Sequence, residues 1–365
     1  MAPQSSQSWD SFLIGQTVGT FLVKNIVGKG GFGIVMEAMD TATKKTVAFK
    51  FLNPLASVDD LLDFKNEGDL LGRLDGSSNV VELIKSDQHS FTLKTDAGLS
   101  IPVSLSFHVL EFAQGTLETI VLNRHQLDWI QRLLLWRGVI KGVHQMHLRF
   151  IVHRDLKSEN CLVFDMGKNK TDCKVTDLGR SRHLPSPPLH TPQDYMVGRG
   201  DMRFAPPEFL AWQGNDDAES HICADLYGLG AILFELATGL PITFFALGYH
   251  ADVLQMNLEL LNKGEQIDLT GMRSQFEPAY ALFEHSVPPV IRQQIGIILR
   301  QLCDPLPTGR LPKSRFSQKS VADGLVWLLT WTDSLIRSLE AENKRARLAA
   351  KTGRYEARFI RHGSS

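Results

Sequence analysis

The sequence predicts an α+β chain in two lobes: a small β-rich N-terminal lobe, then a larger and mainly helical one that ends in a helical extension. Three observations carry that expectation. From Gly19 to Phe51, short β-type runs (FLVKNIV, IVMEAMD, TVAFKFL) alternate with turns such as TATKK. Past Gly115 the pattern changes to helical periodicity, with QLDWIQRLLLWRGVIKGVHQMH as the longest stretch. The 365 residues suit one large two-lobed domain or two modest ones. In order, residues 1–15 form an N-terminal segment and 16–316 the body, its smaller lobe about 16–111 and its larger about 116–316; 317–365 form the extension.

Within the first lobe, Ser57 precedes Asp60 by three residues, the spacing of a capping box, and Leu61, Leu62, Phe64, Leu70, Leu71 and Leu74 supply an apolar helix face. VVELIKS and SLSFHVLEF read as two further strands. The excursion from Asp87 to Ser104 between them is longer than a minimal hairpin. The proline-rich stretch HLPSPPLHTPQD, His183 to Asp194, is expected to be an exposed loop without helix or central strand. From about Gln318 an amphipathic helix is expected, with Val321, Leu325, Leu328, Leu329, Leu335 and Leu339 packed on the body or on a second subunit. It ends in a basic tail of Lys344, Arg345, Arg347, Lys351, Arg354, Arg358 and Arg361, either a solvated face or a contact for an acidic partner.

The chain is 43% hydrophobic and 22% charged with a formal net charge of −1, so no general pull toward nucleic acid or membrane is expected. Cys161, Cys173, Cys223 and Cys303 lack Cys-x-x-Cys spacing and read as buried thiols, not zinc ligands or a disulfide framework. MAPQSSQSWD has no basic region followed by an apolar run, and the expected location is cytoplasmic. The apolar window Ala231 to Leu254 contains Glu235, Gly239, Pro241 and His250, which suits a buried helix and a turn better than a membrane span.

Gly28, Gly30 and Gly33, with Lys29, Gly31 and Phe32 between them, form a GxGxxG pattern. The same spacing occurs in plain hairpin turns and in dinucleotide folds, but the latter run from strand into helix, whereas strands continue here. A strand–turn–strand glycine loop lets backbone N–H groups approach phosphates, with Phe32 shielding them at the tip. Lys50 stands in VAFK between apolar neighbours, where it is either a snorkelling edge lysine or a phosphate contact held by a carboxylate. Glu67 is that carboxylate, on the inward helix face with Phe64, Leu70 and Leu71, while Asp63 and Asp69 are expected to point elsewhere into solvent. The run His153-Arg154-Asp155-Leu156-Lys157-Ser158-Glu159-Asn160 places an Asp able to accept a hydroxyl proton, a Lys for a phosphoryl group and an Asn for a metal in one tight loop. Asp177-Leu178-Gly179 follows a β-type run, CKVT, and adds a second metal-binding side chain.

Together and in this order, these motifs resemble the eukaryotic-type protein kinase family, in its Ser/Thr form, over roughly Gln16 to Phe316. The resemblance implies a protein-kinase-like bilobal fold and transfer of the γ-phosphoryl group of ATP, with Mg2+ (or Mn2+), to Ser/Thr hydroxyls of a protein, with autophosphorylation. It implies that the glycine loop covers the phosphates and that Lys50 pairs with Glu67. Val35, Ala48 and Leu162 would enclose the adenine, with Leu110 as gatekeeper and the backbones of Glu111 and Ala113 as hinge. Asp155 would be the catalytic base, Lys157 the phosphate contact, and Asn160 and Asp177 the metal ligands. Leu71, Leu178, His153 and Asp225 match the family's internal spine and its anchor, and Glu208 and Arg310 its buried ion pair. The chain departs from the family pattern with DLG for DFG, PPE for APE, and Asp201 where Ser/Thr kinases usually have Thr. Arg154 implies an anionic partner on the activation loop: a phosphate on Ser181, Ser186, Thr191 or Tyr195, or the fixed carboxylate of Asp201. A pseudokinase scaffold and a small-molecule kinase are the rival readings. The first normally lacks the Lys or Asp residues present here, the second the long activation segment.

Overall fold

The computed structural model describes residues 9–30, 33–94, 100–167, 170–197, 200–312 and 324–362. The N-terminal part comprises α1 (Trp9–Leu13), β1 (Thr17–Val18), β2 (Phe21–Lys29), β3 (Gly33–Asp40), β4 (Thr46–Leu52), α2 (Val58–Arg73), β5 (Leu83–Lys94) and β6 (Ser100–Glu111). The six strands form one antiparallel sheet in the order β1-β2-β3-β4-β6-β5. Alternation decides its faces: Ile34, Met36 and Ala38 on β3 and Val47, Phe49 and Phe51 on β4 are buried, and Phe49 stacks on Phe107 of β6 at 5.0 Å. Lys50, one residue out of phase with Phe49 and Phe51, therefore leaves on the opposite face.

The excursion from Asp87 to Ser104 is a continuation of the β5–β6 ladder, whose pairing runs from Leu83 opposite Leu110 to Lys94 opposite Ser100. Phe91 and Leu105 bury against the sheet there, and Phe12 of α1 meets Phe91 edge-on at 6.0 Å. The extra length thus gives the N-terminal helix a surface to cover.

Past residue 114 the chain is mainly helical. It continues through β7 (Gly115–Thr116), α3 (Leu117–Leu122), α4 (Trp129–His147), β8 (Ile151–Val152), β9 (Cys161–Asp165), β10 (Thr171–Val175) and β11 (Arg182–His183). Then come α5 (Pro192–Val197), α6 (Pro207–Leu210), α7 (Ala218–Thr238), α8 (Ile242–Leu247), α9 (His250–Asn262), α10 (Arg273–Ser286), α11 (Pro289–Leu302) and α12 (Val326–His362). An Asp128–Gln131 capping box opens α4; Asp217 caps α7, and Gly239 ends it at φ 80°. α7 is long and apolar enough to cross a membrane by composition alone, yet most of it is buried against the surrounding helices. All four cysteines are buried and unbridged.

Several expectations change here. The longest helix is not α4, with 19 residues, since α7 has 21 and α12 has 37. Residues 183–194 are not all loop: His183 pairs with Ile151 in a two-strand ladder, and Pro192 opens α5, where its missing N–H has no partner to lose. The C-terminal helix begins at Val326; Gln318 and Val321 lie outside the described residues. Leu325, Leu328, Leu335 and Leu339 are buried against the helical part, where Arg137 of α4 binds Asp333 at 2.6 Å. Lys344, Arg345 and Arg347 are exposed, while the side chains of Lys351, Arg354, Arg358 and Arg361 lie outside the described residues.

Candidate active site

β4 delivers Lys50, and α2 delivers the groups that hold it. The Ser57–Asp60 capping box forms as the spacing predicts and starts α2 at Val58. Two turns later Glu67 reaches inward, its Oε2 2.6 Å from Lys50 Nζ, and Asp177 Oδ1 lies 2.9 Å from the same nitrogen. Burial alone would pull Lys50 down, but the charges of Asp177 and Glu67 outweigh it and hold its pKa above the ordinary lysine value. Burial pushes Glu67 up against the opposing pull of Lys50. Asp177 is only half-buried; burial pushes its carboxyl up, but Lys50, His153 and Lys157 outweigh this and keep it below the usual range. Asp177 adopts left-handed backbone at φ 61°, a costly conformation for a residue with a Cβ, held here at the turn into Leu178.

α2 carries two contacts that sequence reasoning missed. Asn66 Nδ2 donates to the carbonyls of Leu178, Gly179 and Ser181 at 3.4, 2.9 and 2.8 Å. Asp63, expected in solvent, is instead buried, its Oδ1 3.1 Å from His190 Nε2. The helical period contained half of this: Asp63 precedes Glu67 by four residues, so an inward Glu67 brings Asp63 to the same face. The partner, 127 residues further along the chain, left no local signal. Asp69 is exposed as expected.

The loop after β8 hangs from α7. Asp225 is buried and accepts from the backbone N–H groups of His153 and Arg154 at 2.8 and 2.7 Å and lies 2.8 Å from His147 Nε2. Asn160 Nδ2 donates to the Asp155 carbonyl at 2.8 Å, and Lys157 Nζ lies 3.9 Å from Asp155 Oδ2. Burial raises the Asp155 carboxyl above its ordinary value despite Lys157 and Arg180 beside it. Ser158 Oγ donates to Glu235 of α7 at 3.0 Å, and burial pushes Glu235 up to about 8.

One expectation about this loop fails. Asp201 does not supply Arg154 with a charge: its backbone N–H donates to Asp155 Oδ1 at 3.2 Å, and its carboxylate holds Arg203 at 2.6 Å. Arg154 instead lies under the ring of Tyr195, 4.4 Å from its centroid. Of the four loop hydroxyls, Ser181 and Tyr195 are buried, Ser186 is 2.7 Å from His183 Nδ1, and Thr191 is exposed, binding Asp194 at the start of α5.

Lys50, Asn160 and Asp177 open onto one cavity of about 370 Å³, between the sheet and the helical part. Gly28, Lys29, Gly30, Gly33, Val35, Ala48 and Lys50 line it from the sheet. Leu110, Glu111, Ala113, Asn160, Leu162 and Asp177 line the rest. Gly31 and Phe32 lie outside the described residues. A Cβ on Gly33 would collide with the Phe51 carbonyl, whereas one on Gly28 or Gly30 would meet nothing within 4 Å, which leaves open backbone beside the cavity. The amide of Glu111 is donated to the Glu82 carbonyl at 3.2 Å, and its carboxylate holds Lys174 at 2.6 Å. The apolar walls suit a flat base, and the cationic end at Lys50 suits phosphates. No cluster of three His, Cys, Asp or Glu side chains suits a metal among the described residues. Asp177 and the amide oxygen of Asn160 make a sparse oxygen set, the kind magnesium accepts when phosphate oxygens complete its shell. The Glu208–Arg310 pair lies away from this cavity, buried, with its two bonds at 2.7 and 2.6 Å.

The family model described as "Protein kinase domain" matches residues 21–321. Among curated proteins the chain is similar to the leucine-rich repeat receptor protein kinase EMS1 of Arabidopsis thaliana, 30% identical over 68% of this chain and 19% of that protein. It is similar to the serine/threonine-protein kinase PknK of Mycobacterium bovis, 28% identical over 58% of this chain and 17% of that one. A third relative is the probable serine/threonine-protein kinase PknB of Bifidobacterium longum, 26% identical over 61% and 31%. The chain therefore spans less than a third of the length of these relatives.

Proposed function

The chain belongs to the protein kinase family, and from that premise we propose that it transfers the γ-phosphoryl group of magnesium-bound ATP to serine or threonine hydroxyls of a protein. The observation that carries this reading is the joining of Lys50, Glu67 and Asp177 by contacts of 2.6 and 2.9 Å in the cavity that also holds Asn160, with Asp155 beside it. On this reading the sheet and the helical part are the two lobes of a kinase, and the base lies between Val35, Ala48 and Leu162 next to Leu110. Lys50, oriented by Glu67, grips the α- and β-phosphates. Asn160 and Asp177 would hold the metal, which when bound neutralises charge on the phosphate oxygens. Asp155 orients the acceptor hydroxyl and takes its proton, and its raised pKa brings the carboxylate closer in basicity to that task. Lys157 stabilises the charge on the group in flight. Lys157 two residues after Asp155 supports Ser/Thr over Tyr acceptors. Autophosphorylation on the activation segment falls to Thr191, the exposed one of its four hydroxyls.

The test is transfer of labelled phosphate from ATP to a generic protein substrate, with Asp155→Asn as control. Transfer by wild type and its loss in the variant are expected. Nucleotide binding without transfer, with wild type and variant alike, would instead favour a scaffold that only binds ATP.

A further inference from the structure

Beyond the transfer chemistry, the segment from Gly179 to Pro206 makes two contacts that the proposed catalytic roles do not use. His190 Nε2 lies 3.1 Å from Asp63 Oδ1, with side-chain exposures of only 7% and 2%. Asp63 is one turn ahead of Glu67, so this contact fastens the segment to the helix that holds the partner of Lys50. Five residues on, the Tyr195 ring covers the Arg154 guanidinium at 4.4 Å. No carboxylate accepts from that guanidinium among the described residues: one nitrogen donates to the Arg180 carbonyl at 3.3 Å and Nε has no partner. The Tyr195 hydroxyl is buried and also without a partner among them. His221 braces the ring edge-on at 5.7 Å and is itself 2.7 Å from Asp216, which holds Arg182 at 3.0 Å.

A guanidinium removed from water needs an anion or an aromatic face. Here it has the face. A phosphate reaching Arg154 would have to displace the ring.

We propose that His190 and Tyr195 are positioning residues that seat this segment, and through Asp63 hold α2 and Glu67 in the transfer-competent arrangement, with no phosphate on the segment. His190 supplies to α2 the tie across the cleft, while Tyr195 supplies to Arg154 the partner that a phosphorylated loop would otherwise bring. The kinetic part of this proposal rests on the phosphoryl-transfer reading. The structural part does not.

The experiment uses the full chain, phosphatase-treated and shown by intact mass to carry no phosphate, with His190→Gln, Tyr195→Leu, Tyr195→Phe and the exchanged pair Asp63→His with His190→Asp. Transfer kinetics and amide hydrogen exchange over residues 58–73 and 186–197 are measured on each. Unphosphorylated wild type is expected to keep full kcat. His190→Gln and Tyr195→Leu are expected to lower kcat by about tenfold, with the KM for ATP moved by less than about twofold, as for a shift in the population of the competent state. Exchange in both segments should accelerate in those two variants. Tyr195→Phe and the exchanged pair should restore slow exchange and turnover, which general destabilisation would not allow. Loss of most activity on phosphatase treatment, or unaltered exchange in His190→Gln and Tyr195→Leu, overturns the proposal. If wild type transfers no phosphate at all, the functional reading fails, and the exchange data alone decide whether the segment is seated as described.

Discussion

Asp155 has Lys157 Nζ at 3.9 Å, Arg180 Nη1 at 3.9 Å and the Asp201 N–H at 3.2 Å, in surroundings that bury it. Burial disfavours its charged form, so its proton leaves above the ordinary aspartate range. The acid limb of kcat/KM should therefore rise with pH at a value above that of a free aspartate, and a limb at or below it would contradict the role. Replacing the residue by Asn should lower kcat by roughly 10²–10⁴, the usual range for a general base, with little change in the KM for ATP. Lys50→Met and Glu67→Gln act on one contact of 2.6 Å, so their combined effect on log rate should fall short of the sum. Strict additivity would mean that the pair does not function together. Glu235 offers a stability test. Its folded pKa of about 8 lies above that of an unfolded glutamate, so the folded state binds the extra proton, and this contribution fades as pH rises from about 4.5 toward 8. Glu235→Gln, which keeps an acceptor for Ser158 and removes the charge, should flatten the decline in urea midpoint between pH 6 and pH 8.5 expected from this group. An equally steep decline in the variant would refute the assignment.

At the scale of elements, α2 decides whether the site is assembled. Its start depends on the Ser57–Asp60 box, and its inner face on Glu67, Asn66 and Asp63. Ser57→Ala should cost about 1 kcal/mol of stability, as N-cap losses do, and leave turnover nearly intact because the inner contacts survive. Asn66→Ala is a different case: three backbone carbonyls lose a shared donor, worth roughly 1–3 kcal/mol if they stay buried. Its kcat should fall more than that of Ser57→Ala at equal loss of stability, since the carbonyls belong to the turn that presents Asp177. Measuring kcat against urea midpoint for both variants separates the two effects, and a single common trend would show that α2 acts only through global stability.

Across the whole molecule, the buried Glu208–Arg310 pair joins α6 to the segment that follows α11. Arg310 also donates to the carbonyls of Asp304 and Cys223 at 2.8 and 3.1 Å. Arg310→Met should cost about 3–5 kcal/mol, because Glu208 is left buried without its counter-charge. Adding Glu208→Gln should recover part of that loss. Thermal unfolding of the single and double variants measures it, and equal losses would mean that the stranded carboxylate is not the cause. α12 extends the same core, with Leu328 and Leu335 buried and Asp333 bound to Arg137, so it packs as part of the helical half.

Much of the fold and of the site was legible in the sequence because it is encoded locally. Period-two burial gives β3 and β4. A capping box starts α2, and the run from His153 to Asn160 keeps three chemical groups within one loop. Glu67 was legible because a carboxylate on an apolar face demands a cation. Asp63, Asn66 and Tyr195 were not, and the reason is the same for each. Asp63 meets His190, Asn66 reaches the turn after Asp177, and Tyr195 covers Arg154, all across gaps in the chain that no periodicity spans. Asp201 was placed beside the right loop, but its charge went to its neighbour Arg203. The sequence by itself determined the identity, order and spacing of the charged and polar groups that gather at the cavity. Only the tertiary structure decided what holds them in register, since that depends on contacts that form when distant segments are packed out of water and every buried polar group must find a partner.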